Sequence, residues 1–441
     1  MFWTCSRTRL ASPWQAHLAR HLSRSPDRSF SPAATRRLPL PAQYGSLRTS
    51  PPSVVAQLTG AGGLKPFAER LEPPRVRRQV LFTILASVGV FCLAASETID
   101  ETIATEGSMR SLGGIWAVKQ ASSYELMVQR KRSFDQSLLA IMNYLHEAVE
   151  SLPNFTAHQI LMTYYQIAQP LVETSEGRRT CWTIGTISAA MFLLWKIPSM
   201  RPFLNRHFTH DPLSGKSYTM LTSLLSYKSF FHFALTSTTL ASFGAITAHH
   251  FQQKRINNPD RYPIESTVKW ELLAFIISAG LFGMLYTHVA ALRFQYPRLI
   301  SRLTSSAILE RNALALQKVG AAPAKMAGPT SLRPLLGMSA AAYAALTYSI
   351  LAFPDVSFDL FGLFPIPREW LFHACMLFDL VGVICAPLLG YWPRYWNHFA
   401  HMGGACFGAM YYQYGDAFWV YTRIAVLTVK IQWLTFWEAF Q

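Results

Sequence analysis

The chain has 441 residues, of which 51% are apolar and only 15% are charged. A soluble protein would carry about 25% charged residues, so this composition excludes a set of ordinary soluble domains. A net charge of +16 is high, but long uncharged stretches exclude the dense basic surface of a nucleic-acid-binding protein. The six cysteines form no C-x-x-C pair, which argues against a disulfide framework or a zinc module. We therefore predict an all-α polytopic membrane protein that binds no nucleic acid.

The N-terminal segment 1–79 is strongly basic. It contains 13 of the 40 Lys and Arg residues but only three acids, and no acid precedes Asp27. Arginines mixed with Ser, Ala and Leu are typical of a mitochondrial transit peptide, whereas a secretory signal needs an apolar core of about 7–15 residues. We predict a transit peptide followed by a disordered matrix segment, with a disordered basic tail as the alternative.

Apolar runs long enough to cross a bilayer, about 20 residues, define the membrane spans. An extra N-terminal span is predicted at 80–96, followed by a hydrophilic helical spacer at 97–179. Six further spans are predicted at 180–195, 229–248, 272–292, 335–353, 370–392 and 395–414. The last two are joined by a tight turn at 393–394. Residues 416–441 are apolar but carry charged residues, among them Arg423, Lys430 and Glu438, which indicates an interfacial tail, with an eighth span as the alternative.

Loop charges predict the orientation of these spans, because Lys and Arg concentrate on the side from which spans insert. Loop 293–334 carries seven bases against one acid, whereas the spacer 97–179 carries ten acids against seven bases. This alternation agrees with seven spans in the mitochondrial inner membrane. We predict an N-terminus in the matrix and a C-terminus in the intermembrane space.

Two polar side chains in the spans suggest nucleophilic chemistry. His401 shares one helix face with three small residues, Gly404, Ala405 and Gly408, and such residues let helices approach closely. Ser339 follows Gly337 by two positions and opens an alanine-rich span. A serine becomes a nucleophile when a histidine about 3 Å away takes its proton. From these residues alone, a serine bonded to its own helix and a packing histidine remain the alternative.

Asp379 is an ionisable group at membrane depth, in the span 370–392. It can assist catalysis, but we expect it to cap or hydrogen-bond a neighbouring loop. The proline-rich segment 354–369 suits a mobile cap over a site. Four loop histidines have no acid or cysteine partners at ligand spacing, so we expect them to be solvated and predict no metal site: His207, His210, His249 and His250.

Three segments resemble a known family. NHFAHMGGACFGAMYYQYG at 397–415 is similar to the AH-x-GG-x-x-x-G pattern in the last core helix of rhomboid intramembrane proteases. Its final residues resemble the mitochondrial, presenilin-associated rhomboid-like branch. Residues 183–212 and 221–240 resemble the first core helix with its loop and the second core helix of that branch. The resemblance covers about 170–415 and implies a six-helix rhomboid domain at 180–415 behind one extra helix.

The resemblance implies roles for individual residues. Ser339 falls on the family nucleophile, His401 on its general base and His232 on the histidine of the oxyanion site. Two positions depart from the family pattern: Thr236 replaces the oxyanion asparagine, and Ala340 replaces the glycine after the nucleophile. In a soluble protease, losing one oxyanion donor lowers the rate by about 10²–10³. The departures therefore fit either a slow enzyme or an inactive relative.

The implied function is a serine endopeptidase with a Ser–His dyad and no cofactor. Its expected partners are membrane lipid and single-span proteins, namely the transmembrane anchors of imported mitochondrial proteins. The main alternative is a rhomboid-like pseudoprotease that binds transmembrane helices without cutting them. A carrier is a weaker alternative, because the sequence lacks the inverted repeats and paired broken helices of transporters. No oligomeric state is predicted.

Overall fold

The computed structural model describes most of the chain beyond residue 75. The described residues are 76–113, 121–304, 332, 334–355, 357–360, 364–389 and 397–438. Most of them are helical, which confirms the helical membrane fold. Three features predicted from the sequence fall outside the described residues. They are nearly all of the transit segment 1–79, most of the basic loop 293–334 and the whole turn at 393–394.

Three long helices precede the predicted rhomboid-like region. They are α1 (Val76–Gly113), α2 (Ser123–Val149) and α3 (Asn154–Glu173). Ser122 caps α2 and exchanges hydrogen bonds with Glu125 in a capping box, which satisfies two N–H groups at the helix start. With 38 residues, α1 is about 57 Å long. It therefore extends well past the span predicted at 80–96, into the spacer.

Five shorter helices follow. They are α4 (Glu176–Leu194), α5 (Arg201–His207), α6 (Thr219–Thr222), α7 (Phe230–Thr239) and α8 (Ala245–Asn257). The chain bends by 99° between α4 and the helical segment that begins at Pro198. A π-helical turn over Leu240–Gly244 joins α7 to α8, so the predicted span 229–248 is one continuous helical segment.

The remaining elements contain the core of the fold. The helices are α9 (Lys269–Ala290), α10 (Tyr296–Thr304), α11 (Ser339–Ala352), α12 (Arg368–Leu389) and α13 (His398–Glu438). Between α11 and α12, strands β1 (Ser357–Leu360) and β2 (Phe364–Pro367) pair in an antiparallel hairpin, with Ser357 opposite Pro367. This short two-stranded hairpin lies in the proline-rich connection 354–369 and leaves the helical fold class unchanged.

Among the described residues, two helical segments are long and apolar enough to cross a membrane unaided. They are Val76–Ser111 and Lys269–Ser301, and α4 with its bent continuation to His207 is a third if the pair is counted as one span. α11 is apolar but shorter. The polytopic membrane fold is supported, and the total of seven spans stays a prediction.

Helix α13 differs from its predicted extent. It runs without a break past residue 416, the predicted start of a separate tail, and its 41 residues make it about 60 Å long. Trp419 and Arg423 are buried and both donate hydrogen bonds to Glu265 Oε1, at 2.8 and 2.9 Å. A buried carboxylate therefore compensates the charge that we took as a sign of an interfacial tail.

Candidate active site

Ser339 lies at the first position of α11, immediately after a tight turn. Gly337 in that turn has φ +98°, a conformation that side chains with a Cβ rarely adopt. A Cβ at Gly337 would also lie only 2.7 Å from Cε1 of His232. The N–H of Met338 donates to the Tyr227 hydroxyl at 3.0 Å. The turn is thus held by side chains from outside α11, and it presents Ser339 at the helix start.

The segment before this turn is anchored to the loop that contains His210. His210 and Leu335 exchange backbone hydrogen bonds of 3.0 and 2.8 Å, and the His210 ring contacts Thr219 and His288 at 2.9 and 3.0 Å. His210 is fully buried, so the prediction of a solvated side chain was wrong. Burial and the neighbouring His288 lower the pKa of His210 to about 3. Its ring is therefore neutral near pH 7.

Ser339, His401 and Asp379 form a continuous hydrogen-bonded chain. His401 Nε2 lies 3.0 Å from Ser339 Oγ, and His401 Nδ1 lies 2.9 Å from Asp379 Oδ1. All three side chains are buried, and the Tyr343 ring stacks on His401 at 4.2 Å. Because the carboxylate requires a proton on Nδ1, we assign the tautomer in which Nε2 accepts a proton from serine. The predicted dyad is therefore extended by an acid that we expected to cap a loop.

His398, an ionisable residue of the last predicted span with no predicted role, also belongs to this cluster. Its Nδ1 lies 2.6 Å from the same Asp379 oxygen. A Cβ at Gly382 would overlap the His398 ring, so the glycine makes room for it. Residues 398 and 401 are three positions apart and share one helix face, and this spacing was a usable signal. The ligand atoms of Asp379, His398 and His401 all lie within 4.8 Å of one another.

The oxyanion side of the site is built by α7. Ser229 caps this helix, and the His232 ring packs between Gly337 and Tyr227, 5.1 Å from the Tyr227 centroid. Thr236 lies one turn later, is buried and interacts with the Tyr227 hydroxyl. Tyr227 also occupies the N–H of the residue before Ser339. Donors available to an oxyanion include the Ser339 N–H, which has no acceptor within its helix, and the His232 ring.

The region that holds these residues is similar to a known domain family. Residues 214–415 match the sequence model of the Rhomboid domain, and this interval contains the nucleophile, both partners of its hydrogen-bonded chain and the oxyanion residues. The chain carries a rhomboid domain. Its site residues thus come from four helices of that domain: α7, α11, α12 and α13.

Mitochondrial relatives share this rhomboid region. The presenilin-associated rhomboid-like protein, mitochondrial, of Mus musculus is 25% identical over 244 residues, which is 55% of this chain and 50% of the relative. The Homo sapiens protein is 24% identical, with 55% and 49% covered, and protein A of Danio rerio is 22% identical, with 62% and 57% covered. The chain therefore spans about half the length of these curated relatives. No solved structure matches it significantly. The relatives and the apolar helices together support a mitochondrial membrane protein.

Small residues bring the helices of the rhomboid domain together at the site. A Cβ at Gly404 would overlap the Ala340 carbonyl, and one at Gly408 would overlap the Ala344 carbonyl. α11 and α13 therefore touch backbone to backbone, which aligns His401 with Ser339. Ala340, the departure beside the nucleophile, has its methyl against Gly283 of α9. The extra methyl is accommodated by a glycine on the neighbouring helix.

Proposed function

We propose that this protein is an intramembrane serine endopeptidase of the mitochondrial inner membrane. Its substrates are the transmembrane anchors of imported mitochondrial proteins. The observation that carries the proposal is the chain from Ser339 Oγ through His401 to Asp379, with distances of 3.0 and 2.9 Å. A serine, a neutral histidine and a carboxylate in this order are the machinery of acyl transfer.

The proposed reaction follows from these contacts. His401 Nε2 takes the proton of Ser339 as Oγ attacks the scissile carbonyl carbon, and Asp379 stabilises the imidazolium that forms. The oxyanion accepts hydrogen bonds from the Ser339 N–H and from His232. His401 then protonates the leaving amine, and water, activated by the same histidine, hydrolyses the acyl-enzyme.

The surroundings of the nucleophile indicate the substrate class. Ser339 is only 8% exposed and opens a helix of the membrane domain. A peptide bond inside a transmembrane helix is hydrogen-bonded and shielded, so the helix must unwind locally before it can be cut. We therefore expect cleavage where small or helix-breaking residues weaken a single-span anchor.

The alternative is a pseudoprotease that binds transmembrane helices without cleaving them. The composition of the oxyanion side favours it, because buried Thr236 stands where the family resemblance implies an asparagine and interacts with Tyr227. A shorter donor reaches an oxyanion less well and stabilises it less. The experiment below separates the two functions.

The test uses the full chain with a single-span substrate and a fluorophosphonate probe. We expect the parent to cleave the substrate and to be labelled by the probe at Ser339. Ser339→Ala and His401→Ala should neither cleave nor be labelled, although both variants are as abundant as the parent. The double variant is expected to be no worse than either single one, since the two residues act as a unit. Ser349→Ala is the matched control, because Ser349 is a buried serine of the same helix whose Oγ bonds to Leu346 O.

Two outcomes decide against the protease. Cleavage that survives Ser339→Ala removes Ser339 from the mechanism. A parent that captures the substrate but neither cleaves it nor labels is the pseudoprotease.

A further inference from the structure

Asp379, His398 and His401 together offer the donor set of a zinc site. One carboxylate and two imidazoles are one of the sets of three protein ligands found in zinc sites that keep a fourth position open. The two imidazole nitrogens that face Asp379 Oδ1 are 2.6 and 2.9 Å from it. We propose that this cluster binds a zinc-type divalent ion, and that the bound ion inhibits the protease; the inhibition, unlike the binding, rests on the proposed function.

An unsatisfied buried atom is a second observation that points to a ligand. Asp379 is fully buried, yet its Oδ2 accepts no hydrogen bond of good geometry from the described residues, although Tyr343 lies close enough to interact. Such atoms are rare in native proteins and call for an explanation. A cation at the cluster would use the second lone pairs of the carboxylate.

The change needed to admit a zinc ion is small. Zinc lies about 2.0–2.2 Å from nitrogen and oxygen ligands, so two donors at a tetrahedral angle are about 3.3 Å apart. The two N–O pairs here are 2.6 and 2.9 Å apart. Each pair must therefore open by about half an ångström, as the ion takes the place of two hydrogen-bonding protons.

Binding at Nδ1 has a direct consequence for catalysis. A neutral histidine whose Nδ1 coordinates a metal carries its proton on Nε2. His401 Nε2, 3.0 Å from Ser339 Oγ, would then donate to the serine instead of accepting from it. The nucleophile thereby loses its base. The ion thus inhibits through the tautomer of His401.

His398 is the residue that distinguishes this site from a bare triad. We would purify the full chain in detergent and measure zinc binding by equilibrium dialysis for the parent, His398→Phe and His398→Gln. Glutamine keeps a donor for Asp379 but is a poor zinc ligand, so it decides the result if the phenylalanine variant does not fold. His373→Phe is the control, since His373 is an exposed histidine of the same helix as Asp379.

We expect one zinc ion per parent or control chain, and an affinity at least about 10–100-fold lower in both His398 variants. In the parent and the control, saturating zinc should slow fluorophosphonate labelling of Ser339 at least about 10-fold, whereas the His398 variants should label at the same rate with and without zinc. Equal zinc binding by all four proteins overturns the site, and bound zinc without slower labelling overturns the inhibition. A parent that never labels contradicts the proposed function, while the dialysis still decides the site.

Discussion

Asp379 shows how the surroundings of a residue determine its role. An ionised carboxylate within a membrane helix is costly unless it is paired or hydrogen-bonded. Here it receives hydrogen bonds from two histidines of α13, at 2.6 and 2.9 Å. These contacts compensate the burial of the carboxylate and, at the same time, orient the imidazole that faces Ser339.

Asp379→Asn should lower the cleavage rate by about 10²–10⁴-fold, because an amide no longer selects the His401 tautomer that accepts a proton. The corresponding change in a soluble serine protease lowers kcat by about 10⁴-fold. Single-turnover cleavage and probe labelling measure the effect. Asp355→Asn, an exposed acid before the hairpin, is the control and should be neutral. An Asp379→Asn rate within a factor of two of the parent would remove Asp379 from the mechanism.

Thr236→Asn tests whether the oxyanion site is incomplete. A longer donor at this buried position should raise the cleavage rate by up to about 10²-fold, the magnitude associated with one oxyanion donor. Thr238→Asn makes the same exchange at an exposed position of α7 and should change nothing. A rate that falls in Thr236→Asn, with unchanged thermal stability, would show that threonine already serves the site.

At the scale of helices, the contact between α11 and α13 depends on glycine. Gly404→Ala places a methyl group against the Ala340 carbonyl, and backbone cannot yield as a side chain does. Overpacking usually lowers the unfolding free energy by about 1–3 kcal/mol, and we expect a loss at the upper end of this range or above it. Cleavage should be lost as well. Thermal unfolding in detergent measures the first effect.

Gly89→Ala is the control for this substitution. Gly89 lies inside α1 with no atom within 4 Å of an added Cβ. Alanine there should be neutral or stabilise the helix by up to about 1 kcal/mol. Equal melting temperatures for the two variants would show that α11 and α13 are not in close contact at Gly404.

The extension of α13 depends on a buried ion pair. Arg423 donates to Glu265 Oε1 at 2.9 Å and to the carbonyl of Ile264 at 3.2 Å. Arg423→Met leaves a buried carboxylate short of one partner, so unfolding free energy should fall by up to about 3–5 kcal/mol. Lys430→Met removes a more exposed pair with Asp100 and should cost only about 0–1 kcal/mol. Similar melting temperatures for both variants would contradict this view of α13.

For the whole molecule, contacts between the long helices bear on topology. α1 and α13 are each about twice as long as the roughly 30 Å hydrocarbon core. Lys430 of α13 bonds to Asp100 of α1 at 2.6 Å. The C-terminal extensions of both helices therefore lie together, on one side of any bilayer that they cross.

A tag placed after Gln441 should accordingly become sensitive to protease once the outer mitochondrial membrane alone is ruptured. The spacer shares that side, so a tag between α2 and α3, after Glu150, should behave in the same way. A tag after Gln441 that stays protected until the inner membrane is opened would mean that the number of spans is wrong by one.

The sequence by itself determined the class of the protein and the candidates for its chemistry. Composition and apolar runs identified a helical membrane protein, and one segment around His401 indicated the rhomboid domain. Helical spacing put His401 on one face with Gly404 and Gly408. These features are local, because composition, periodicity and motifs depend on residues that are close in the chain.

Only the tertiary structure decided which polar groups meet. Asp379 and His401 are 22 positions apart on different helices, and nothing in the local pattern tells which helix faces which. The same holds for His210, which is buried because it pairs with Leu335 and His288, and for Arg423, which is buried because Glu265 faces it. The helix that packs opposite a polar side chain supplies its hydrogen-bonding partner. It therefore also determines the free-energy cost of burying that side chain. That arrangement arises from contacts between segments far apart in the chain.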